Sequence, residues 1–405
     1  MQSITIPIPA LSITTGSAKS ETSVKVLRAG AIESLLVRLA VRVKNIWLAF
    51  VTLRKPALVW KTYRNTAEVK NVVWAGELKK MYKIDGRYYF NMYTPGWPSA
   101  AYDNMVRSEL KRYAFPHITG SKLSFVFLAV TRKCPLKCEH CFEWKNLNKP
   151  ETFSLAELKR IVELYQAQGV QQFHFTGGEP LTRIKDLVPL VEFASGKSEC
   201  WVITSGFNLT AENARQLKRA GCKGISVSVD HYDPEWHNSF RGNLHAFNNA
   251  IEGIAAAKAA GLVVTMNVCA TKSFIDGNHL SPYLDFAKEQ AVPFVQVLEP
   301  RSVGHYEGMN VLLDESHIQY LETFFKNVNH SPRYKNYPTL QYHGYHQRRI
   351  GCFAGSRSIY IDAAGDVHAC PFCHTSSYNV KSLISQDAAK VPLKENECPM
   401  FNKIA

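Results

Sequence analysis

The stretch LSFVFLAVTRKCPLKCEHCFEW, Leu123–Trp144, joins a nearly continuous apolar run to three closely spaced cysteines. The run up to Val130 is as apolar as a strand of a parallel sheet must be when helices cover both of its faces. Cys134, Cys138 and Cys141 follow this run directly. Side chains just after a strand of an α/β barrel lie at its C-terminal mouth, where such folds carry their chemistry. The stretch therefore predicts a strand that delivers three thiols to the mouth of a barrel.

Strands and helices alternate in the residues that follow. Ser154 and Glu157 predict the start of the first helix as a capping box. The later strands are predicted in the segments QQFHFTG, CWVITSG, GISVSVD, GLVVTMNVCA and PFVQVLEP, between residues 171 and 300. Alternation at this spacing is typical of right-handed βαβ units. The predicted fold class is α/β, with a partial (β/α)6 TIM-like barrel over residues 119–310, and the alternation is expected to stop after Val311.

Three thiols so close together are compatible with several chemistries. A disulfide scaffold is disfavoured because the chain is long, its cysteines are clustered, and its start lacks the pattern of a secretory signal peptide. A tetrahedral zinc site usually takes four ligands. Three thiolates fit a 4Fe-4S cluster in which one iron stays open to another ligand. A structural zinc site and three unrelated thiols are the alternatives. We expect a reducing, cytoplasmic compartment.

Positive charge is concentrated near the start of the chain. The net charge is +14, of which residues 23–65 contribute +8, with nine Lys or Arg against the single acid Glu33. The pattern from Val24 to Leu53 predicts an amphipathic helix that ends before Pro56. Its apolar face comprises Ile32, Leu35, Leu36, Leu39, Val43, Ile46, Trp47, Phe50 and Leu53.

This basic amphipathic segment has two possible uses. With Trp47, Trp60 and nearly unopposed Lys and Arg, it has the marks of a helix lying in the headgroup region of an anionic membrane. Alternatively it packs on the barrel as a core helix with its charges solvated; Arg38 and Asn45 lie opposite the apolar face. We favour peripheral association with the cytoplasmic face of the membrane. Nucleic-acid binding is not expected, because no fold motif or aromatic-basic interleaving supports it.

The other N-terminal residues predict small elements. Residues 1–22 are rich in Ser and Thr and predict a flexible tail; their uncharged run is broken by prolines and does not predict a transmembrane helix. The segment MYKIDGRYYFNMYTPGWP predicts a hairpin that turns at Asp85-Gly86, and Ala101–Arg112 predicts a second amphipathic helix. We assign residues 23–118 to a basic amphipathic N-terminal region.

The spacing Cys-x3-Cys-x2-Cys followed by an aromatic residue resembles the signature of the radical S-adenosylmethionine (SAM) superfamily. The likeness extends to Thr176-Gly177-Gly178-Glu179-Pro180, which is similar to the GGEP motif of that family, and to Thr204-Ser205-Gly206, where relatives often have T-N-G. The resemblance implies that Cys134, Cys138 and Cys141 hold a 4Fe-4S cluster. It also implies that SAM is contacted by Phe142, Gly177, Gly178, Glu179, Ser228, Asp230 and Asn267.

Four more cysteines follow the barrel. Twelve residues separate Cys352 from Gly365, and four separate Gly365 from Cys370. Cys373 and Cys398 come later. This start resembles the SPASM/Twitch extension of radical SAM enzymes, and four cysteines match the shorter, one-cluster Twitch-like form. The resemblance implies a small domain over residues 311–405, in which a second, auxiliary 4Fe-4S cluster is held by Cys352, Cys370, Cys373 and Cys398. A zinc ribbon is the alternative.

The resemblance implies an enzyme. A one-electron donor such as flavodoxin or ferredoxin would supply the electron that cleaves SAM, and a 5′-deoxyadenosyl radical would abstract a hydrogen from the substrate. The substrate is either a lipid or another membrane-borne small molecule, or a peptide or protein. The intact motifs disfavour a third reading, a non-catalytic iron–sulfur protein.

No catalytic residue is singled out by the sequence. Residues 230–242 resemble a stretch of SPASM-type relatives in which a His and an Arg-Gly follow the fourth strand, here His237, Arg241 and Gly242; they are expected to order a loop over the site. Four residues after the last strand lie at the same mouth and are candidate substrate contacts or proton donors: Glu299, Arg301, His305 and Tyr306.

Overall fold

A computed structural model describes residues 25–28, 32–78, 80–115, 123–374 and 376–385. The tail predicted over residues 1–22 and the candidate ligand Cys398 lie outside these residues. The strands are β1 Lys25–Arg28, β2 Lys80–Ile84, β3 Arg87–Tyr89, β4 Phe125–Ala129, β5 Gln172–Thr176, β6 Glu199–Thr204, β7 Cys222–Ser228, β8 Val263–Cys269, β9 Phe294–Leu298, β10 Thr339–Tyr342, β11 Ser358–Ile361, β12 Asp366–His368 and β13 Tyr378–Asn379. The helices are α1 Ile32–Leu53, α2 Pro56–Trp74, α3 Ala100–Ala114, α4 Leu155–Ala167, α5 Ile184–Ser195, α6 Ala211–Arg219, α7 Pro234–Arg241, α8 Ala246–Ala259, α9 Lys272–Asp276, α10 Leu280–Glu289, α11 Glu315–His330, α12 His343–Ile350 and α13 Val380–Ser385.

Six parallel strands, β4 to β9, lie side by side in the order of the sequence. They are the six strands that the apolar segments predicted, and helices lie between them in the chain. The capping box at Ser154 and Glu157 is present at the start of α4. The predicted α/β class with a partial (β/α)6 arrangement is therefore confirmed.

Side chains alternate between the two sides of this sheet. One set, which includes Val126, Phe173 and Val202, is buried under the helices in one large apolar core. The other set faces the interior of the barrel, where the rings of Phe127 and His174 lie 5.0 Å apart. Because every strand is covered on both sides, the apolar runs in the sequence are nearly continuous.

The parallel sheet continues beyond Val311, contrary to the expectation from the sequence. After α11, β10 pairs in parallel with β9 at one edge of the sheet. At the other edge, β11 pairs in parallel with β4, and β12 and β13 follow in antiparallel order. The sequence signal was weak because these added strands are only two to four residues long. β11 and β12 form an antiparallel hairpin.

The N-terminal hairpin closes the end of the barrel opposite its mouth. β2 and β3 pair across Asp85-Gly86, as predicted, with φ of 51° and 72° at these two residues. Side chains of the hairpin and the loop after it form a buried cluster with residues at or near the starts of β6, β8 and β9. The cluster comprises Tyr82, Ile84, Tyr89, Met92, Trp201, Val263 and Phe294.

The long N-terminal helix differs from the prediction at its start and in its orientation. Residues 25–28 form β1, so α1 begins at Ile32 and not at Val24. α1 ends at Leu53, and Pro56 opens α2, a position that requires no backbone N–H. The second amphipathic helix is present as α3. The side predicted to be polar faces the protein: Arg38 donates to Leu78 O (2.6 Å), and Asn45 hydrogen-bonds Tyr102.

The apolar face of α1 is consequently exposed, except for Leu53, which is buried. None of the helices among the described residues combines the length and the hydropathy that a membrane span requires.

Candidate active site

The three cysteines lie on the loop of residues 131–144, here called the cysteine loop, which leaves the C-terminal end of β4. Asn148 holds the first of them, because Cys134 N donates to Asn148 Oδ1 (3.0 Å) and Asn148 Nδ2 donates to Cys134 O (3.2 Å). Asn148 has φ of 57°, a region that asparagine tolerates better than most residues. Burial raises the pKa of all three thiols, that of Cys134 to about 12. A metal would therefore have to displace protons from these groups.

The glycines of the GGEP motif bring β5 against the cysteine loop. Gly178 N donates to Thr131 O (2.9 Å), and Glu179 N donates to Lys133 O (2.7 Å). A Cβ atom on Gly178 would lie 2.4 Å from Lys133 O, and one on Gly177 would lie 2.5 Å from Thr131 O. No real side chain fits at these distances, so both positions require glycine.

Glu179 ties the GGEP motif to the end of β6. Its carboxylate is buried and accepts hydrogen bonds from Thr204 Oγ1 (2.7 Å), Leu181 N (3.1 Å), Ser205 N (2.8 Å) and Ser205 Oγ (2.6 Å). Burial raises the pKa of Glu179, and these hydrogen bonds offset part of the rise because they favour the ionised form. Thr204-Ser205, singled out by the sequence as the third strand end, therefore positions this carboxylate.

A buried ion pair supports the second cysteine. Arg241 pairs with Asp230, and Arg241 Nη1 donates to Cys138 Sγ at 3.6 Å. Asp230 Oδ1 also accepts from Cys269 N (3.0 Å), which joins the ends of β7 and β8. Burial would raise the pKa of Asp230, but the Arg241 charge and then the nearby histidines hold that pKa below its usual value. The chain His237–Asp230–Arg241–Cys138 is continuous, since Asp230 N donates to His237 Nδ1 (3.0 Å).

The cysteine loop is also held through its backbone by the end of α7. Lys137 N donates to Arg241 O (3.0 Å), and Glu139 N donates to Phe240 O (3.0 Å). Gly242 has φ of 60°, and a Cβ there would lie 2.8 Å from Lys137 O. The Arg-Gly pair noted in the sequence therefore contacts the cysteine loop by both side chain and backbone.

A third support, which the sequence did not single out, comes from the segment after β9. His305 N donates to Cys141 O (2.9 Å), and His305 Nδ1 lies 3.0 Å from Cys138 O. Its ring stacks on Trp144, with centroids 3.8 Å apart and planes 7° from parallel. The sequence named His305 only as a candidate substrate contact or proton donor at the mouth. His305 lies 164 residues after Cys141, and no pattern in the sequence indicates a contact between residues so far apart.

A cavity of about 440 Å³ lies beside the cysteine loop. Its walls come from the cysteine loop, α7 and the loops after β8 and β9, so it opens at the mouth of the barrel. Burial raises the pKa of the wall residue Glu139. The other walls include three aromatic rings, Trp236, Phe240 and Tyr306.

Polar side chains form one row across four adjacent strands inside the barrel. Ser228 pairs in register with Asn267, Asn267 with Gln296, and Gln296 with Gln341. Asn267 Oδ1 and both amide atoms of Gln341 are buried and lack a hydrogen-bond partner among the described residues. The predicted SAM contacts Ser228 and Asn267 thus lie in one row near the mouth, whereas Asp230 is already paired with Arg241.

The turn that carries Cys370 and Cys373 lies next to the cysteine loop. Cys370 and Cys373 share a tight turn in which Cys373 N donates to Cys370 O (3.1 Å) and Phe372 N donates to Cys370 Sγ (3.3 Å). Gln347 Nε2 donates to Cys352 Sγ (3.3 Å). The ring of Phe142 lies 5.7 Å from the ring of Phe372 and contacts Tyr360 at the same distance. Phe142, predicted to contact SAM, therefore joins the two cysteine segments. The remaining cysteines among the described residues, Cys200, Cys222 and Cys269, are buried.

The residues of the site fit a 4Fe-4S cluster with SAM. Among the described residues, no three His, Cys, Asp or Glu side chains are grouped closely enough to hold one metal ion. A four-iron cluster does not need such a group, because each thiolate binds a different iron. Three thiols on one loop, glycine backbone next to that loop, and the unpartnered Asn267 Oδ1 suit this group.

Comparison with known proteins identifies the domain. Residues 128–277 match the family model described as Radical SAM superfamily. GTP 3′,8-cyclase of Staphylococcus epidermidis is 25% identical over 297 residues, which cover 68% of this chain and 86% of that protein. PqqA peptide cyclase of Streptomyces rochei is 29% identical over 279 residues, covering 67% of this chain and 74% of that protein.

The fold has solved counterparts. The crystal structure of Streptococcus suis SuiB bound to precursor peptide SuiA superposes with a TM-score of 0.55 at 16% identity, covering 72% of this chain and 71% of that chain. The cysteine loop with its GGEP neighbour lies inside the segment matched by the family model. Residues 128–277 are therefore a radical SAM domain, and the chain is an enzyme.

Proposed function

We propose that this enzyme uses a 4Fe-4S cluster on Cys134, Cys138 and Cys141 to cleave SAM reductively and abstract a hydrogen atom from a substrate at the barrel mouth. The observation that carries the proposal is the contact between the cysteine loop and Gly177-Gly178-Glu179, where a Cβ on Gly177 or Gly178 would lie 2.5 or 2.4 Å from a backbone oxygen of that loop. The bound group would supply one-electron chemistry and a 5′-deoxyadenosyl radical. A one-electron donor such as flavodoxin or ferredoxin would supply the electron.

The residues of the chain would bind the cluster and SAM, orient them at the barrel mouth and shield the reaction from water. Three segments fix the cysteine loop: the GGEP motif, the end of α7 and the turn at His305. Arg241 places a positive charge at Cys138 and so stabilises its thiolate form. Ser228 and Asn267 would contact SAM from the polar row, and Phe142 would contact it beside the loop. The aromatic walls of the 440 Å³ cavity would limit the access of water to a substrate bound in it.

The test is anaerobic reconstitution followed by reduction, with 5′-deoxyadenosine as the product measured. Wild-type protein should release it, and Cys138→Ala should not. Cys222→Ala is the matched control, because this thiol is buried away from the loop and its loss should leave product formation in place. Absence of 5′-deoxyadenosine from fully reconstituted wild-type protein would refute the proposed chemistry.

We also propose that Cys352, Cys370, Cys373 and Cys398 hold an auxiliary 4Fe-4S cluster. The support is the Cys370–Cys373 turn, where a backbone N–H already points at a sulfur, and its ring contact with Phe142. Iron per chain should fall from about eight to about four in Cys373→Ala, and equally in Cys138→Ala. If the wild type holds about four irons per chain and Cys373→Ala holds the same number, the proposal of an auxiliary cluster is refuted.

For the substrate, we favour a lipid or another membrane-borne small molecule, acted on at the cytoplasmic face of the membrane. The supporting observation is the exposed apolar face of α1 among basic residues, developed below.

A peptide or protein substrate is the second candidate. SuiB was crystallised with a precursor peptide, and PqqA peptide cyclase acts on a peptide by its name. In this chain the supporting observation is the row of amides, Asn267, Gln296 and Gln341, whose donors and acceptors match those of a peptide backbone. The two candidate substrate classes can be distinguished by assaying the enzyme with extracted membrane lipids and, separately, with peptides encoded beside its gene.

A further inference from the structure

We infer that the outward face of α1 is a docking surface for the headgroup region of an anionic bilayer. The inference names the partner for the proposed membrane-borne substrate and rests on that proposal for its purpose, but binding itself is measured without turnover. We define the α1 stripe as Ile32, Leu36, Leu39, Val43, Trp47 and Phe50. At 100° per residue these six side chains lie within about 80° of one another around the helix.

The stripe is exposed although it is the most apolar side of the helix. Ile32 is 78% exposed, Leu36 61%, Leu39 59% and Val43 59%. A surface helix normally buries its apolar stripe and exposes its polar side. In α1 the side that faces the protein carries its own apolar residues, Val37, Val41, Leu48 and Ala49, together with Arg38, Asn45 and Thr52, which hydrogen-bond to other elements. The stripe points outward. Contiguous apolar surface of this extent on a folded protein marks an interaction site.

The α1 stripe is flanked by positive charge. Arg54 and Lys55 follow α1 directly at the Phe50 end of the stripe, and Lys61 and Arg64 lie on the next helix; all four are exposed. Trp60 is 64% exposed in the same stretch. None of these four bases forms an ion pair with another described residue. Lys and Arg beside an apolar stripe with tryptophan match the chemistry of an anionic lipid surface.

Charge also argues against a second copy of the chain as the occupant. A two-fold interface would place the same patch on both sides. Two sets of the four exposed bases Arg54, Lys55, Lys61 and Arg64 would then be brought together, and like charges across an interface are repulsive. A bilayer with anionic headgroups supplies the opposite charge. The 22-residue helix, about 33 Å long, would lie in the plane of the surface.

Flotation of the full chain with vesicles tests the inference. Vesicles of phosphatidylcholine with about 30% phosphatidylglycerol should carry the protein upward, and vesicles of phosphatidylcholine alone should carry at least ten-fold less. Leu39→Gln with Val43→Gln should reduce flotation about ten-fold or more. Leu244→Gln is the matched control, because Leu244 is 83% exposed outside the stripe and its change should leave flotation unaltered. Lys61→Glu with Arg64→Glu should weaken binding to the anionic vesicles, and the remaining binding should depend less on salt concentration.

The readouts separate this inference from the proposed chemistry. Equal flotation of the wild type and the Leu39→Gln, Val43→Gln variant would refute the membrane-docking surface. So would sedimentation velocity in which the wild type is a dimer and this variant is a monomer. Release of 5′-deoxyadenosine in detergent-free buffer should be unchanged in the variant, which also shows that it is folded. Flotation without any 5′-deoxyadenosine from the wild type would keep the surface and refute the chemistry.

Discussion

Replacing Arg241 by methionine should destabilise the apo protein strongly. The side chains of Arg241 and Asp230 are only 9% and 1% exposed, so the variant leaves a carboxylate buried without its counter-charge. Removing one partner of a buried pair typically costs 3–5 kcal/mol. The lost hydrogen bond to Cys138 adds about 1 kcal/mol, whereas the bond from Cys269 N to Asp230 is present in both proteins and cancels. We therefore expect a loss of about 4–6 kcal/mol in the free energy of unfolding.

A double-mutant cycle isolates the pair. Asp230→Asn combined with Arg241→Met removes both charges, so its loss should be smaller than the sum of the single losses by about 2 kcal/mol or more. The measurement is guanidinium unfolding followed by tryptophan fluorescence, at neutral pH in anaerobic reducing buffer. Arg215→Met is the control, because Arg215 pairs with Glu212 on the surface and its loss should cost less than about 1 kcal/mol.

Two outcomes would refute this reasoning. One is a coupling energy below about 0.5 kcal/mol, which would mean that the two side chains do not interact when the protein is folded. The other is equal stability of Arg241→Met and Arg215→Met, which would mean that Asp230 is not buried as a charged group.

Three further predictions concern the loop, the barrel interior and the hairpin. Gly178→Ala would put a Cβ 2.4 Å from a backbone oxygen, so the cysteine loop must shift and 5′-deoxyadenosine release should fall at least about 100-fold, whereas Gly196→Ala, with 3.6 Å of room, should not change it. Burial lowers the pKa of His174 from 6.5 to about 3, so below pH 6.5 the unfolded chain binds a proton at this residue that the folded chain does not. His174 should therefore lower the free energy of unfolding by about 2 kcal/mol between pH 8 and pH 5, and unfolding curves measured over this pH range should lack this contribution in His174→Phe. Lys80→Met removes an ammonium that donates to four backbone carbonyls of the segment 328–338 and should lower the melting temperature; an unchanged melting temperature would show that these contacts contribute nothing.

Much of the site follows from sequence because its signals are local. The spacing of Cys134, Cys138 and Cys141, the glycines of the GGEP motif and the apolar strand before the loop each occupy a few consecutive residues. Their steric and electronic requirements are therefore visible in the sequence itself. The six central strands were likewise predictable, since burial on both faces produces continuous apolar runs.

The contacts that hold the loop from outside could not be predicted in the same way. Arg241 reaches Cys138 across 103 residues, and His305 reaches Cys141 across 164, so periodicity gives no indication of either pair. The orientation of α1 was also beyond a pattern argument. A helical pattern shows which residues share a face, but which face is buried depends on distant partners. Val37, Val41 and Leu48 pack against other elements, and Arg38 and Asn45 hydrogen-bond to distant groups.

The pairing of β11 with β4 has a consequence for how the chain is made. β4 is the first strand of the barrel to leave the ribosome, yet the strand that covers its outer edge, Ser358–Ile361, is synthesised roughly 230 residues later. At ordinary rates of translation this interval lasts roughly 10–50 seconds. During that time the edge next to the cysteine loop has no neighbour within the chain and is open to strand-to-strand aggregation. Cells that produce this protein well should therefore be those in which a chaperone occupies that edge, or in which translation through residues 130–358 is fast.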